Sequence, residues 1–132
     1  MLSTIGRSLR PVYLFAGLVC ILHAGCSPGA APMSDAGKAK ELLQTSLDAW
    51  RSGASLDDRR KASPPIYIAE DLWRNGAKLS EYKLVGESEV LGSNIRFKVD
   101  LKCTIKSGKA MEKTVRYLVT TQPALTIVRE EG

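Results

Sequence analysis

From Ile95 to Lys106 the chain alternates without a break. Ile95, Phe97, Val99, Leu101, Cys103 and Ile105 are interleaved with Arg96, Lys98, Asp100, Lys102, Thr104 and Lys106. A period of two with so clean a split predicts a strand with one face on a core and the other in water. Its neighbours can be registered on it. A turn at Gly92-Ser93, glycine first as a type II′ loop prefers, sets Val90 opposite Ile95 and Leu84 opposite Leu101. The same turn sets Glu89 opposite Arg96 and Glu87 opposite Lys98 on the outer face. At the other end, a three-residue loop Ser107-Gly108-Lys109 sets Ile105 opposite Met111, Leu101 opposite Val115, Val99 opposite Tyr117 and Asp100 opposite Arg116. Exposed pairs of this kind contribute ~0.2–1 kcal/mol each, so they select register more than they supply stability. A last strand, Leu125 to Arg129, follows the break at Pro123.

Ahead of these strands the period changes. Ala39, Leu42, Leu43, Leu47 and Trp50 recur at three- and four-residue spacing, which predicts an amphipathic helix over Asp35 to Arg51. Ser34 is the expected N-cap, and Gly53 suits the C-terminal stop. Trp50 lies on the apolar stripe and reads as core. Ser55 to Lys61 has an N-cap residue and acids before bases, as a short helix prefers. Pro64-Pro65 breaks regular structure. Ile66-Tyr67-Ile68 reads as a brief extended segment, followed by a turn of helix through Glu70 to Trp73 that ends at Asn75-Gly76. The expected fold is α+β: an N-terminal helix packed on a four-stranded antiparallel meander, one domain over residues 35–132. A curled sheet gripping such a helix resembles the cystatin-like and nuclear-transport-factor-2-like folds. The segments Ser63 to Tyr67, Asp71 to Trp73 with Gly76, Glu112 to Tyr117 and Pro123 to Arg129 are similar to those of small bacterial envelope proteins. That resemblance implies no particular activity.

The first 26 residues have a different character. Arg7 and Arg10 precede an apolar run of 11 residues, Val12 to Leu22, which is too short for a membrane span of ~20 residues but suits an export signal. Ala24-Gly25-Cys26 then resembles the lipobox of bacterial lipoproteins, with His23 where an aliphatic residue is usual. The resemblance implies cleavage before Cys26, a diacylglycerol thioether on its sulfur and acylation of its new amine. Ordinary signal cleavage and an uncleaved N-terminal anchor are the alternatives. Residues 1–25 are thus read as a signal peptide, and 26–34 as a lipidated cysteine with a Pro-, Gly- and Ala-rich tether. The resemblance implies a mature chain exported to the cell envelope and held to a membrane through its lipid, on the periplasmic side or at the cell surface.

Composition narrows the chemistry. Of 19 basic and 14 acidic residues, the signal takes two bases and no acid. That leaves 17 bases against 14 acids, a mild excess spread along the chain that gives no nucleic-acid footprint. Cys20 leaves with the signal and Cys26 takes the lipid, so Cys103 has no disulfide partner; its place in the apolar set predicts burial. The one histidine, His23, lies in the signal, which removes His-based triads and His zinc sites from the mature domain. Asp57-Asp58 and Glu130-Glu131 are adjacent acids that point apart, and no phosphate loop occurs. No catalytic residue, metal site or cofactor is expected. The expected function is a non-catalytic binding or interaction module, with envelope proteins as partners. The alternative is a small-ligand carrier or enzyme using a helix–sheet cleft, where a buried Asp71, Glu70 or Lys78 beside a tyrosine hydroxyl (Tyr67, Tyr82 or Tyr117) would be the mark of catalysis.

Overall fold

The computed structural model describes residues 32–131. The signal, Cys26 and most of the tether lie outside these residues. Within them the elements run α1 (Ala36–Arg51), α2 (Leu56–Arg60), β1 (Ile66–Ala69), α3 (Asp71–Arg74), β2 (Lys78–Leu91), β3 (Asn94–Thr104), β4 (Ala110–Thr120) and β5 (Leu125–Arg129). The strands form one sheet in the order β1-β5-β4-β3-β2.

Three expectations are corrected. First, the sheet has five strands and is mixed, not four-stranded and antiparallel. The brief extended segment is a full member, pairing in parallel with β5 so that Ile66 faces Leu125 and Ile68 faces Ile127. A parallel pair needs a long crossover, and here α3 and the whole β2–β4 meander supply it. Ile66 and Ile68 thereby join the apolar face, Ile66 fully and Ile68 in part.

Secondly, α1 is capped by Asp35, whose Oδ1 accepts the Lys38 amide at 2.7 Å, not by Ser34. Ser34 is buried and pins the incoming chain to the end of the sheet. Its amide donates to the Ser93 carbonyl at 3.2 Å, and its Oγ accepts the Thr121 amide at 2.9 Å.

The third correction concerns register. Gly92-Ser93 does form the two-residue turn, with Val90 opposite Ile95 and Glu89 opposite Arg96. Gly92 has φ +58° and no described non-glycine residue, Ser93 included, has positive φ, which fits a type II′ turn and not type I′. Beyond Glu89 the ladder slips at a bulge that spans Gly86, where φ is +68°. Val85, not Glu87, therefore faces Lys98, and Leu84 faces Val99, not Leu101.

The β3–β4 hairpin is displaced by two residues throughout. Cys103 faces Met111, Leu101 faces Lys113, Val99 faces Val115, Phe97 faces Tyr117 and Asp100 faces Thr114. The reason lies in Gly108. The Ile105 amide donates to the Lys109 carbonyl and the Gly108 amide to the Ile105 carbonyl, so the loop is Lys106-Ser107-Gly108. Gly108, with φ +91°, closes it as the left-handed third residue. Centring the loop on that glycine, as the sequence reading does, moves the pairing by two. An even shift leaves every side chain on its expected face.

The apolar face of the sheet packs on α1. Ala39, Leu43, Leu47 and Trp50 from the helix meet Leu79, Ile95, Phe97, Val99, Leu101, Cys103, Val115, Tyr117, Val119 and Ile127 in one cluster. Trp50 is core, as its position on the stripe predicts. It stacks on Trp73 with ring centroids 5.3 Å apart, and its Nε1 donates to the Ala77 carbonyl at 2.9 Å. Trp73 Nε1 donates to the Ala54 carbonyl at 3.0 Å, so the pair ties α1, α3 and the start of β2 together with no orphaned indole. Leu101 is 1% exposed at the centre of the sheet. Leu101→Ala should therefore destabilise the domain by ~2–5 kcal/mol in chemical denaturation. A loss below ~0.5 kcal/mol, the range of ordinary surface substitutions, would contradict this packing.

Candidate functional site

The acid flagged by the sequence at position 70 is buried, and what surrounds it decides its role. Glu70 follows β1 and is the N-cap of α3, its backbone extended so that the carboxylate folds back onto the Leu72 amide at 2.8 Å. It is only 2% exposed. Oε2 accepts the Tyr117 hydroxyl at 2.5 Å, and Oε1 accepts Nη1 of Arg129 at 2.9 Å. Tyr117 and Arg129 are opposite one another on β4 and β5, so the sheet presents both to the same carboxylate. A buried carboxylate without partners would cost several kcal/mol. Here a cation and two further donors compensate it.

The neighbours feel the same environment. Burial, then the Glu70 charge and its hydrogen bond, push the Tyr117 phenol far above its ordinary range, so it remains a neutral donor. Cys103 is buried as expected, and burial, then the charge of Glu70, push its thiol up to about 11 against the opposing pull of Arg129. A thiol held protonated is a poor nucleophile. Of the acids and tyrosines that the sequence singles out, only Glu70 and Tyr117 come together in the interior. Asp71 is half exposed and pairs with Arg74, Lys78 and Tyr67 are exposed, and Tyr82 donates instead to Asp48 at 2.8 Å. Arg129 was missed, yet its signal was present. It shares the inward face of β5 with Ile127, and a cation on an apolar face implies a buried acid to meet it.

The open surface offers two concavities of note; Glu70, Tyr117 and Cys103 line neither, while Arg129 lines the larger. One, of about 620 Å³, lies on the outer face of the sheet among Lys98, Lys113, Arg116, Glu130 and Glu131. Several charges on that face are matched. Arg96 bridges Glu89 at 3.2 Å and Glu130 at 2.7 Å, which holds the Glu130 carboxyl below its usual range. Lys102 lies between Glu81 and Glu112. The displaced hairpin sets Lys98 directly opposite Arg116, and neither they nor Lys113 and Glu131 form an ion pair among the described residues.

The other concavity is smaller, about 380 Å³, and more apolar. It lies between α1, α2, β1 and the β4–β5 loop, over Leu42, Ile66 and Leu125. Arg59 of α2 lines it, with Lys38 and Glu41 of α1. The Arg59 Nε–H is buried and has no acceptor, and Arg59 forms no salt bridge among the described residues. The capping box of α2, in which Ser55 Oγ accepts the Asp58 amide at 3.1 Å and Asp58 accepts the Ser55 amide at 3.0 Å, fixes the short helix that carries it.

No protein-family model, curated protein or solved structure matches this chain. Among the described residues there is no group of three side chains arranged to hold a metal ion, and no helix long and apolar enough to cross a membrane.

Two measurements check the sealed cluster. Arg129→Met leaves the Glu70 carboxylate buried without its cation and should cost ~3–5 kcal/mol, whereas adding Glu70→Gln should recover part of that loss. The thiol gives a pH signature. Its folded value, about 11, lies above the ordinary 9.0, so the unfolded chain loses this proton first. Stability should fall as pH rises from about 9 to about 11. Cys103→Ala should lessen that fall, and native Cys103 should react with a thiol reagent only on unfolding.

Proposed function

We propose that this chain is an exported lipoprotein, tethered to a membrane of the cell envelope through lipid on Cys26, whose α+β domain is a non-catalytic binding module. The observation that carries the non-catalytic part is the Glu70–Tyr117–Arg129 cluster. The acid nearest to a tyrosine hydroxyl and a thiol has its hydrogen bonds satisfied inside the protein, and of the cluster only Arg129, not Glu70 or Tyr117, lines an open cleft. General acid–base work needs a group within hydrogen-bonding reach of a substrate.

The tether is supported by the signal-like segment and Ala24-Gly25-Cys26, and by the way the chain enters the domain. Ser34 is fastened to the end of the sheet, leaving about seven residues after Cys26 to span from lipid to fold, at most ~25 Å when extended. Two or more acyl chains would hold it stably. The helix resting on a curled sheet supports a fold of the cystatin-like or nuclear-transport-factor-2-like kind. Envelope proteins are the proposed partners. A second reading, a small-ligand carrier, is favoured by the apolar cleft beside Arg59.

Cell fractionation tests the tether. Wild-type protein should partition with membranes and carry lipid mass on the peptide beginning at Cys26, and Cys26→Ser should release it to the soluble fraction. Unchanged membrane retention of the variant, with no lipid mass on the wild type, rules the tether out.

A further inference from the structure

We infer that the cleft between α1, α2, β1 and the β4–β5 loop binds a carboxylate carried on a short apolar body. The inference rests on the reading of the domain as a binding module and names the ligand class of that module. Three observations converge. The floor is hydrocarbon, from Leu42, Ile66 and Leu125, and the volume of about 380 Å³ lies at the small end of ligand sites. The charges around it, Arg59 and Lys38 against Glu41, leave one positive charge uncompensated. That balance suits a monoanion better than a neutral molecule or a dianion.

The third observation is the state of Arg59. Its Nε–H is buried with no acceptor, an arrangement that folded proteins rarely leave uncompensated. The Nε edge of a guanidinium is one of the faces that engages a carboxylate through two parallel hydrogen bonds. A small swing of the side chain into the cleft would bring that edge to a carboxylate and give the orphaned donor a charged acceptor. The ligand's apolar body would then lie on Leu42 and Leu125. The place also suits an amphiphile. Thr121, on the rim of the cleft, holds Ser34 and Asp35, so the tether leaves the domain beside its mouth.

Titration of the full chain with octanoate, below its micellar range and followed by amide chemical shifts, tests the inference. Octanoate should bind saturably at one site, with shifts centred on Leu42, Arg59 and Leu125. Octan-1-ol and acetate should each bind at least ~tenfold more weakly, the first lacking the charge and the second the apolar body. Arg59→Gln should lose at least ~tenfold in affinity at an unchanged melting temperature, while Lys98→Gln on the far face should lose nothing. Should Arg59→Gln melt early, Arg59→Lys keeps the charge without the fork and should still bind at least ~threefold more weakly. Absence of saturable octanoate binding, or equal affinity in the Arg59 variants, overturns the inference and leaves the Cys26 tether to stand on fractionation. Binding accompanied by chemical conversion of octanoate would instead sink the non-catalytic reading while upholding the site.

Discussion

The charge of Glu70 is the constraint around which the domain is arranged. A carboxylate under an apolar sheet is tolerable only if its partners arrive with it. They come from different elements: the amide of Leu72 from α3, the hydroxyl of Tyr117 from β4 and the guanidinium of Arg129 from β5. Meeting all three fixes where the β1–α3 corner lies against the far half of the sheet, next to the point where β1 joins β5 in parallel. Nonspecific burial would let that corner slide, because apolar contacts have no direction. A fork of hydrogen bonds does not. Replacing the pair with hydrocarbon could leave the domain as stable, but the β1–α3 corner would then lose the directional bonds that tie it to β4 and β5 beyond the four ladder pairs of β1.

How much of this was legible depends on whether the information was local. The alternation of Ile95 to Cys103 and the stripe of Leu43, Leu47 and Trp50 each encode their own burial, and both lie where the pattern puts them. The first turn was readable because Gly92-Ser93 allows few geometries. The second was not read correctly, because a glycine inside a three-residue loop does not say which loop position it holds. Gly108 takes the last, and the register moved by two. The bulge around Gly86 was invisible for a similar reason: an exposed glycine in a strand is compatible with either a straight or a kinked path. Membership of β1 in the sheet depends on a parallel contact between residues about sixty positions apart, which no period in a short window records.

The candidate sites divide along the same line. Cys103 was legible as buried from its place in the alternation. Glu70 was flagged only as one of several acids near aromatics, and its true partners are set by tertiary contact. In the sequence Arg59 is only one of the bases that follow the acids of the short helix Ser55 to Lys61. Its half-buried position depends on α2 folding against β1, which the local sequence Leu-Asp-Asp-Arg-Arg does not reveal.

The two edges of the sheet differ from its middle. On one side β1 offers four residues, preceded by Pro64-Pro65 and followed at once by the turn into α3. On the other, β2 is long but broken in register twice, between Leu79 and Glu81 and again between Val85 and Glu89, with lysines and glutamates along it. A straight strand from a second molecule can follow neither edge for more than a few residues before its hydrogen bonds fall out of step. Where many copies meet at close quarters, as the proposed tether would make them do, such frayed borders keep neighbouring sheets from growing into a continuous ribbon.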